Sequence, residues 1–338
     1  MKKVVVVVLR VVLVLAVLGA LLGGVAWWWV KERAVALKTP IVDYRVEQGM
    51  GPRQIAQRLR DQGVSVNADV FVALARLTKQ DRQLQAGAYE IKQGDSLWQI
   101  LERMVAGDMT HSSITFIEGW TVDRMLDSMQ QHPDLKHTLD TPEKVHAFVQ
   151  ELGATYPYVE GLFYPDTYVF APGSTDQELL RRAYQAQADI LQQMWAQRDQ
   201  DLPLSTPYEA LILASIVEKE TGHAADRERV AGVFINRLRI NMPLQTDPTV
   251  IYGMGQQYEG RIRKRDLTTD TPWNTYTRNG LPPSPIALAS KASLQAVLHP
   301  EQHNFYYFVS RGDGTSEFSK NLTDHNRAVR RYILNKGQ

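Results

Sequence analysis

Near its amino terminus the chain carries twenty consecutive apolar residues, VVLVLAVLGALLGGVAWWWV, from Val11 to Val30. A helix of this length crosses about 30 Å of hydrocarbon, so the run predicts a transmembrane helix. Lys2, Lys3 and Arg10 precede the run, and basic residues are typical of the cytoplasmic side of such a helix. We therefore expect residues 1–30 to form a cytoplasmic tip and a membrane anchor.

A cleaved signal peptide is the alternative interpretation of this run. The run is longer than the apolar part of most signal peptides, and bulky Trp27, Trp28 and Trp29 stand where small residues would mark a cleavage site. Tryptophans also suit the interface between membrane and water. Basic residues after the run weaken the charge asymmetry. We expect a retained single-pass anchor, followed by a linker over residues 31–40.

Charge and cysteine content exclude several classes of function. The 338 residues include 38 basic and 37 acidic side chains, a net charge of +1, which gives no electrostatic footprint for nucleic acid. The absence of cysteine excludes disulfides, thiol catalysis and thiolate metal sites. His299 and His303 are separated by Pro300, which argues against a helical metal pair. We expect no metal, no cofactor and no nucleic acid partner.

Two segments after the linker resemble each other. VEQGMGPRQIAQRL, from Val46, aligns without gaps on IKQGDSLWQILERM, from Ile91, and each predicts a strand, a glycine turn and a helix. Between them NADVFVALARLT predicts a helix capped by Asn67. Residues 41–110 should form one module, and QGDSLWQI resembles the LysM peptidoglycan-binding fold, in which strands flank a pair of helices. A duplication without a sugar site is the alternative.

Residues 111–205 predict a connecting α+β region. SITFIEG, from Ser113, alternates between polar and apolar residues, a pattern that is typical of a strand, and helical segments follow it. VEGLFYPDTYVFAPGS, from Val159, is an aromatic segment broken by proline and glycine, of the kind that lines a binding site. A long helix from Thr175 then leads to the last region, residues 206–338.

The stretch LILASIVEKE, Leu211 to Glu220, places carboxylates on an otherwise apolar helix. The predicted start of this helix is a capping box, with Thr206 as the cap, Pro207 at the first helical position and Glu209 at the third. Gly222 stands where a glycine cap would end the helix. Apolar residues around nearly the whole circumference predict a buried helix. A buried carboxylate must be paired or must hold its proton.

Glu218 has two interpretations. Ala214 and Ser215, one turn earlier, are small and predict a hollow beside its carboxyl group. Apolar surroundings favour the protonated form that a general acid needs. The alternative is an ion pair with Arg237 or Arg239, since structural ion pairs are common.

Five motifs resemble one known family. They are EGLFYPDTYVF from Glu160, ASIVEKETG from Ala214, QTDPTVIYG from Gln245, WNTYTRNGLPPSPI from Trp273 and YYFVSRGDGTSEFSK from Tyr306. Together, and in this order, they resemble the endolytic murein transglycosylases, also called YceG-like proteins. The resemblance covers the chain from Ile41 to its carboxyl terminus, and a single anchor before it also fits.

The resemblance implies a membrane-anchored lyase that cleaves the MurNAc–GlcNAc bond inside peptidoglycan strands and leaves 1,6-anhydro-MurNAc ends. It implies that Glu218 is the catalytic residue. Trp273 and Ser284 depart from the tyrosine and glycine that are commoner in the family, but neither transfers a proton. A non-catalytic peptidoglycan-binding scaffold and a lysozyme-type hydrolase are the alternatives. The expected fold class is α+β: a transmembrane helix, a small LysM-like module and a larger catalytic domain over residues 206–338.

Substrate-binding candidates come from the loops around these motifs: Gln245, Asp247, Asn274, Tyr276, Glu160 and Tyr168. Amides and hydroxyls in loops could hold the hydroxyl or N-acetyl groups of a sugar. The alternative is that these side chains only make ordinary hydrogen bonds within their loops. Asp247 precedes Pro248 and first predicts a helix cap. Tyr164, Tyr168, Tyr252 and Trp273 could stack on sugars or belong to the core. Glu220 should point about 200° away from Glu218 and pair with an arginine, which leaves no second carboxylate beside Glu218.

The anchor and the substrate class together predict a location. We expect a single-pass protein of the inner membrane with its catalytic domain on the outer, periplasmic side. The short linker keeps the first module near the bilayer, so nascent glycan strands are the expected substrate, and peptidoglycan synthases are expected partners.

Overall fold

A computed structural model describes residues 2–334, with the side chains of residues 2–12 and 26 excepted. Met1, residues 335–338 and the side chains of Lys2, Lys3 and Arg10, which set the predicted membrane orientation, lie outside the described residues. The fold is mixed α+β, as the sequence predicts.

The helices are α1 (Lys2–Glu32), α2 (Pro52–Asp61), α3 (Ala68–Leu77), α4 (Leu97–Ala106), α5 (Val122–Gln130), α6 (Pro142–Glu151), α7 (Asp176–Ala196), α8 (Pro207–Glu220), α9 (Ala224–Arg239), α10 (Asp247–Met254), α11 (Lys264–Thr268), α12 (Lys291–Leu298) and α13 (Leu322–Val329). The strands are β1 (Ile41–Val46), β2 (Gly87–Lys92), β3 (Ser112–Thr115), β4 (Leu135–Lys136), β5 (Thr167–Phe170), β6 (Ser174–Thr175), β7 (Tyr307–Ser310) and β8 (Ser316–Ser319). They pair as β1–β2, β3–β5, β4–β6 and β7–β8.

Helix α1 contains the apolar run. Its segment Leu13–Glu32 is 20 residues long, has a mean hydropathy of 2.1 and is not buried by the rest of the protein. Length and composition suit a membrane span, and an amino-terminal signal sequence would meet the same description. It is the single helix of this kind among residues 2–334.

The chain divides into two compact units. The first comprises residues 1–112 with 169–173, and the second comprises residues 113–168 with 174–338. The boundary predicted after residue 110 lies close to this division. The predicted connecting region, 111–205, and the predicted catalytic domain, 206–338, fall almost entirely within the second unit.

The first unit is built on the duplicated segment. β1 and β2 run antiparallel, with Tyr44 opposite Tyr89, and both tyrosines are buried. Gly49 and Gly94 adopt φ of +86° and +107°, which lets each strand turn into the helix that follows it. Asn67 accepts hydrogen bonds from the first backbone amides of α3, as its position predicts. The order β1–α2–α3–β2–α4 therefore confirms the strand, turn and helix duplication.

Helix α8 lies at the centre of the second unit. Its residues Ala210–Val217 are all buried, and it packs against α7, α9 and α12. Thr206 caps it by accepting a hydrogen bond from the Glu209 amide at 3.2 Å, as predicted. The predicted glycine cap is wrong, because the helix ends at Glu220 with an extended Thr221, and Gly222 is not left-handed.

Candidate active site

Glu218 lies in the last turn of α8, with its carboxyl group turned toward the start of α12. Oε2 accepts a hydrogen bond from the Ser290 amide at 3.0 Å, one from Ser290 Oγ and one from Ser293 Oγ at 2.7 Å. In the described part of the chain, Oε1 accepts none. Three donors therefore fix the orientation of the Glu218 carboxyl group through one of its two oxygens.

The serines hold Glu218 because of the way α12 begins. Ser290 is the cap of α12, and its Oγ accepts a hydrogen bond from the Ser293 amide at 3.1 Å. The carboxyl group thus lies at a helix amino terminus, where free amides and the helix dipole favour negative charge. No local pattern indicates this contact, since Ser290 and Ser293 follow Glu218 by 72 and 75 residues.

The apolar hollow predicted beside Glu218 is filled. Ser215 is fully buried, donates to the Ile212 carbonyl at 2.7 Å and accepts from the Ile286 amide at 3.0 Å. Residues before α12 therefore cover the small side chains of α8. Polar donors, rather than apolar walls, surround the acidic group of Glu218.

The alternative interpretation, an ion pair between Glu218 and Arg237 or Arg239, is not formed either. Arg237 is buried and donates to the carbonyls of Tyr306 at 2.7 Å and Leu244 at 2.6 Å. Arg239 donates to Asn236 and to the Asp201 carbonyl. Neither guanidinium is hydrogen-bonded to Glu218, and the described residues form no salt bridge with it.

Glu220 points to another side of α8, as predicted, but its partner is a threonine. Thr246 Oγ1 donates a hydrogen bond to Glu220 Oε1. Burial raises the pKa of Glu220 to about 7, and the charge of Asp247 adds to this, while the Thr246 bond and Arg237 oppose it. Arg237 acts on Glu220 through its charge and not through a hydrogen bond.

Three of the predicted sugar-binding residues lie together beyond Glu220. The Tyr276 hydroxyl donates to Asp247 Oδ1 at 2.6 Å. Asp247 is exposed at the first position of α10, and the cap position that we expected for it belongs to Thr246. Gln245 is exposed in a left-handed conformation, φ +47°, and its amide donates to the Thr275 carbonyl at 3.1 Å. Their polar groups are accessible to a ligand.

The other three candidates are buried. Asn274 is fully buried: its Nδ2 donates to three backbone carbonyls, the shortest bond being 2.7 Å to Thr269, and its Oδ1 accepts from the Tyr276 amide. Tyr168 is 6 % exposed and donates to the Tyr164 carbonyl at 2.7 Å. These contacts favour loop bonding for Asn274 and a core position for Tyr168.

Glu160 is 5 % exposed and ties two helices together. It accepts hydrogen bonds from the Val122 amide, the first of α5, at 3.0 and 3.2 Å, and from the Tyr252 hydroxyl of α10 at 3.2 Å. Burial raises the pKa of Glu160 to about 8, against the effect of these hydrogen bonds. Its contacts are those of a structural carboxyl group.

The two departures from the family pattern contact each other. Trp273 Nε1 donates to Ser284 Oγ at 2.9 Å, and the Trp273 ring packs edge-on against Tyr158 and Tyr252, each at 5.5 Å between centroids. A tryptophan at this position thus has an acceptor for its ring nitrogen, which a glycine in place of Ser284 would not supply.

Glu118 is not among the residues predicted from the sequence to act with Glu218. The carboxyl group of Glu118 is close enough to Glu218 for the charge of Glu218 to raise its pKa, after the larger effect of burial, while Arg227 lowers it. The strand pattern SITFIEG ends at this residue, but nothing local indicates that it returns to a helix one hundred residues later.

Comparisons with known proteins agree with the motif resemblance. A sequence model described as the YceG-like family matches residues 44–331. The chain is 29 % identical over 313 residues to a Bacillus subtilis protein named endolytic murein transglycosylase, covering 88 % of this chain and 86 % of that protein. It is 26 % identical over 325 residues to a Streptococcus pneumoniae protein of the same name, covering 86 % of this chain and 58 % of that protein.

A solved structure is similar as well. The crystal structure of a yceG-like protein from Listeria monocytogenes aligns with a TM-score of 0.54 and 29 % identity, over 85 % of this chain and 98 % of that chain.

Proposed function

Since the chain belongs to the YceG-like family, whose sequence model matches residues 44–331, we propose that it is a membrane-anchored lytic transglycosylase that cleaves peptidoglycan strands. The names of the Bacillus and Streptococcus relatives support this activity. The observation that carries the proposal is Glu218, a carboxyl group held through Oε2. Among the described residues it has no arginine partner and no hydrogen bond at Oε1.

The proposed reaction needs one acid that later acts as a base. Glu218 Oε1 gives its proton to the glycosidic oxygen, and the bond between that oxygen and C1 of the muramic acid breaks, the electron pair leaving with the oxygen. The C6 hydroxyl of the same sugar attacks C1, and Glu218 accepts the hydroxyl proton. No water is consumed, and the cut strand ends in a 1,6-anhydro sugar.

Product mass tests the reaction. We expect digestion of peptidoglycan by the purified protein to yield anhydro-muramoyl ends, one water lighter than the products of a lysozyme, with cuts inside strands. Reducing ends would instead identify a hydrolase. The absence of any cleavage by the folded protein would identify a non-catalytic scaffold.

Substrate contacts belong to this proposal too. Gln245, Asp247 and Tyr276 are the candidates that we retain, because their side chains are not buried and Tyr276 is bonded to Asp247. They would hold hydroxyl or acetamido groups of the glycan. Asn274, Glu160 and Tyr168 would act indirectly, by fixing the loops and helices around them.

We further propose that α1 anchors the protein in the inner membrane with the catalytic domain on the periplasmic side. Residues 33–40 are held to the first unit, since Ala34 pairs with Ser96 and Leu37 with Val64. Even if the ten residues 31–40 were fully extended they would reach roughly 35 Å at most, so the first unit stays near the bilayer. Cleavage would then act on nascent strands, which makes peptidoglycan synthases the expected partners.

A fusion reporter tests this topology. A periplasmic reporter attached after Gln338 should be active, and the protein should stay in the membrane fraction after a high-salt wash. Activity of a cytoplasmic reporter at the same point, or release of the protein by salt, would contradict the anchor.

We also propose that residues 41–110 act as a LysM-like module. The order β1–α2–α3–β2, in which strands flank two helices, supports this. A fragment from Thr110 onward should keep cleaving short soluble glycans and should bind sacculi less well in a pelleting assay. A folded fragment with no cleavage would mean that the module completes the active site.

A further inference from the structure

A cavity opens between α7, the start of α8 and the loop that follows α6. It lies within the second unit, and its volume of about 420 Å³ is in the range of small-ligand pockets. Pro207 and Leu211 of α8 line it. At 1.5 Å per residue, Glu218 lies roughly 10 to 16 Å further along this helix. This α7 cavity is therefore separate from the candidate active site.

Three aromatic rings line the α7 cavity, those of Tyr156, Tyr184 and Trp195. The Tyr156 ring is stacked on Tyr208, with 4.0 Å between the centroids and 8° between the planes. The Arg198 guanidinium lies over the Trp195 ring, 3.9 Å from its centroid. Two of the three rings are thus held in place by their neighbours, and they offer broad, rigid surfaces to a ligand that has an apolar face.

Gln187 of α7 adds a polar group to this cavity. The residue is 3 % exposed, it lines the cavity, and its Oε1 atom is buried without a hydrogen-bond partner among the described residues. Buried acceptors are normally paired, because an unpaired one has lost its bonds to water and gained none. The terminal torsion of a glutamine is soft, so the amide can turn toward a ligand. Gln187 therefore points to a ligand that brings a hydrogen-bond donor.

An N-acetylated sugar has the chemistry that these walls require. One face of its ring carries C–H groups, which pack on tyrosine or tryptophan. Its acetamido N–H can donate to Gln187 Oε1, and its carbonyl can accept from the NH2 group of the same glutamine. An acyl chain would also fill the apolar part of the cavity, near Leu191 and Leu211, but it would leave Gln187 unpaired. The unpaired amide therefore favours the sugar.

We propose that the α7 cavity binds an N-acetylated sugar of the glycan strand, as a second binding site remote from the bond that is cleaved. This proposal rests on the proposed function, because it extends the substrate contacts of the same enzyme. A contact to a distant part of the strand holds the strand on the protein without taking part in the chemical step. Long strands should therefore gain more from the cavity than short ones do.

A photoreactive sugar tests the proposal. The probe is diacetylchitobiose, the disaccharide of N-acetylglucosamine, with a diazirine on its reducing end, and it is incubated with the full-length protein in detergent. We expect light to attach the probe to a peptide of α7, Asp176–Ala196, in wild type and in Glu218→Gln alike. Unlabelled disaccharide should prevent this attachment, and the concentration that halves it measures the Kd of the α7 cavity.

Gln187→Leu removes the amide, and Gln185→Leu is the matched control. Leucine leaves no unpaired polar atom, so Gln187→Leu should melt at the wild-type temperature or above it, while the Kd of the cavity rises about tenfold or more. For long strands its KM should rise several-fold with little change in kcat. Gln185 is exposed on the same helix and donates to Asp189 Oδ1 at 2.8 Å. Gln185→Leu should change neither Kd nor KM.

Absence of labelling in α7 would overturn the proposal, and so would a folded Gln187→Leu variant with the wild-type Kd. Labelling that a saturated fatty acid prevents and the unlabelled disaccharide does not would identify a cavity for acyl chains instead. If Gln187→Leu does not fold, the competition at α7 of the wild-type protein decides: the disaccharide must prevent the labelling, or the proposal falls.

These outcomes are separate from failure of the proposed function, which the product mass and Glu218→Gln decide. Anhydro ends without labelling of α7 would remove only the second binding site. Labelling of α7 in a folded protein that cuts no glycan would keep the site and reject the reaction.

Discussion

Glu218→Gln should fold normally and lose roughly 10²- to 10⁴-fold of the glycan-cleaving rate, the usual contribution of a general acid. Glutamine keeps the shape of the side chain and an oxygen that can accept from the Ser290 amide and Ser293 Oγ. It carries no proton that can be given to the glycosidic oxygen. The rate of anhydro-product formation from purified glycan strands measures the loss, and the melting temperature reports the fold.

Glu220→Gln is the matched control for that experiment. Glu220 stands on the same helix, is held by Thr246 and faces away from Glu218. Its amide variant should keep the rate within a few fold. Wild-type activity in Glu218→Gln would remove Glu218 from the reaction, and equal losses in both variants would point to damage of α8 rather than to lost chemistry.

Glu160→Gln should stabilise the protein at alkaline pH. The ordinary pKa of a glutamate, 4.5, applies in the unfolded chain, and burial raises the pKa of Glu160 to about 8 in the folded protein. Below pH 4.5 both states hold the proton. Between pH 4.5 and 8 only the folded state does, so the free energy of unfolding falls as pH rises, by about 5 kcal/mol in all at about 1.4 kcal/mol per pH unit. Above pH 8 the loss is complete.

The variant removes that loss because glutamine does not ionise. Its carbonyl oxygen can accept from the Val122 amide, and its NH2 group can donate to the Tyr252 hydroxyl. Denaturant unfolding at pH 5 and pH 8 should show a smaller decrease in stability for Glu160→Gln than for wild type. Part of the decrease should persist, because burial also raises the pKa of Glu220, to about 7. An equal decrease in both proteins would contradict a buried, protonated Glu160.

Local patterns in the sequence predicted those features of α8 that depend only on residues close to it in the chain. Thr206 and Pro207 marked the start of α8, and the ring of apolar residues marked its burial, because capping and periodicity depend on neighbours in the chain. The glycine cap predicted for the end of α8 was wrong, since Thr221 is extended and Gly222 is not left-handed.

The surroundings of Glu218 could not be predicted in that way. Periodicity shows which residues share a face of α8, but not which distant segment covers that face. Ile286 and Ser290 cover this face of α8 through hydrogen bonds to Ser215 and Glu218. The turn at Gly119, one hundred residues before the end of α8, also lies beside Glu218. The family resemblance points to Glu218 as the residue to test, and that stays a prediction. The hollow beside it and the alternative ion pair are both absent because of contacts of long sequence separation.

The serine hydroxyls that donate to Glu218 Oε2 also affect the energy barrier for moving a proton from this carboxyl group and back. When an acid in water loses its proton, solvent dipoles must reorient around the new anion, and that reorganisation contributes to the barrier. Around Glu218 the dipoles of Ser290 and Ser293 are already oriented, because the cap of α12 fixes them before any substrate arrives. These fixed dipoles replace the solvent dipoles that would otherwise have to reorient, so in the proposed reaction Glu218 would change from acid to base with little rearrangement of its surroundings.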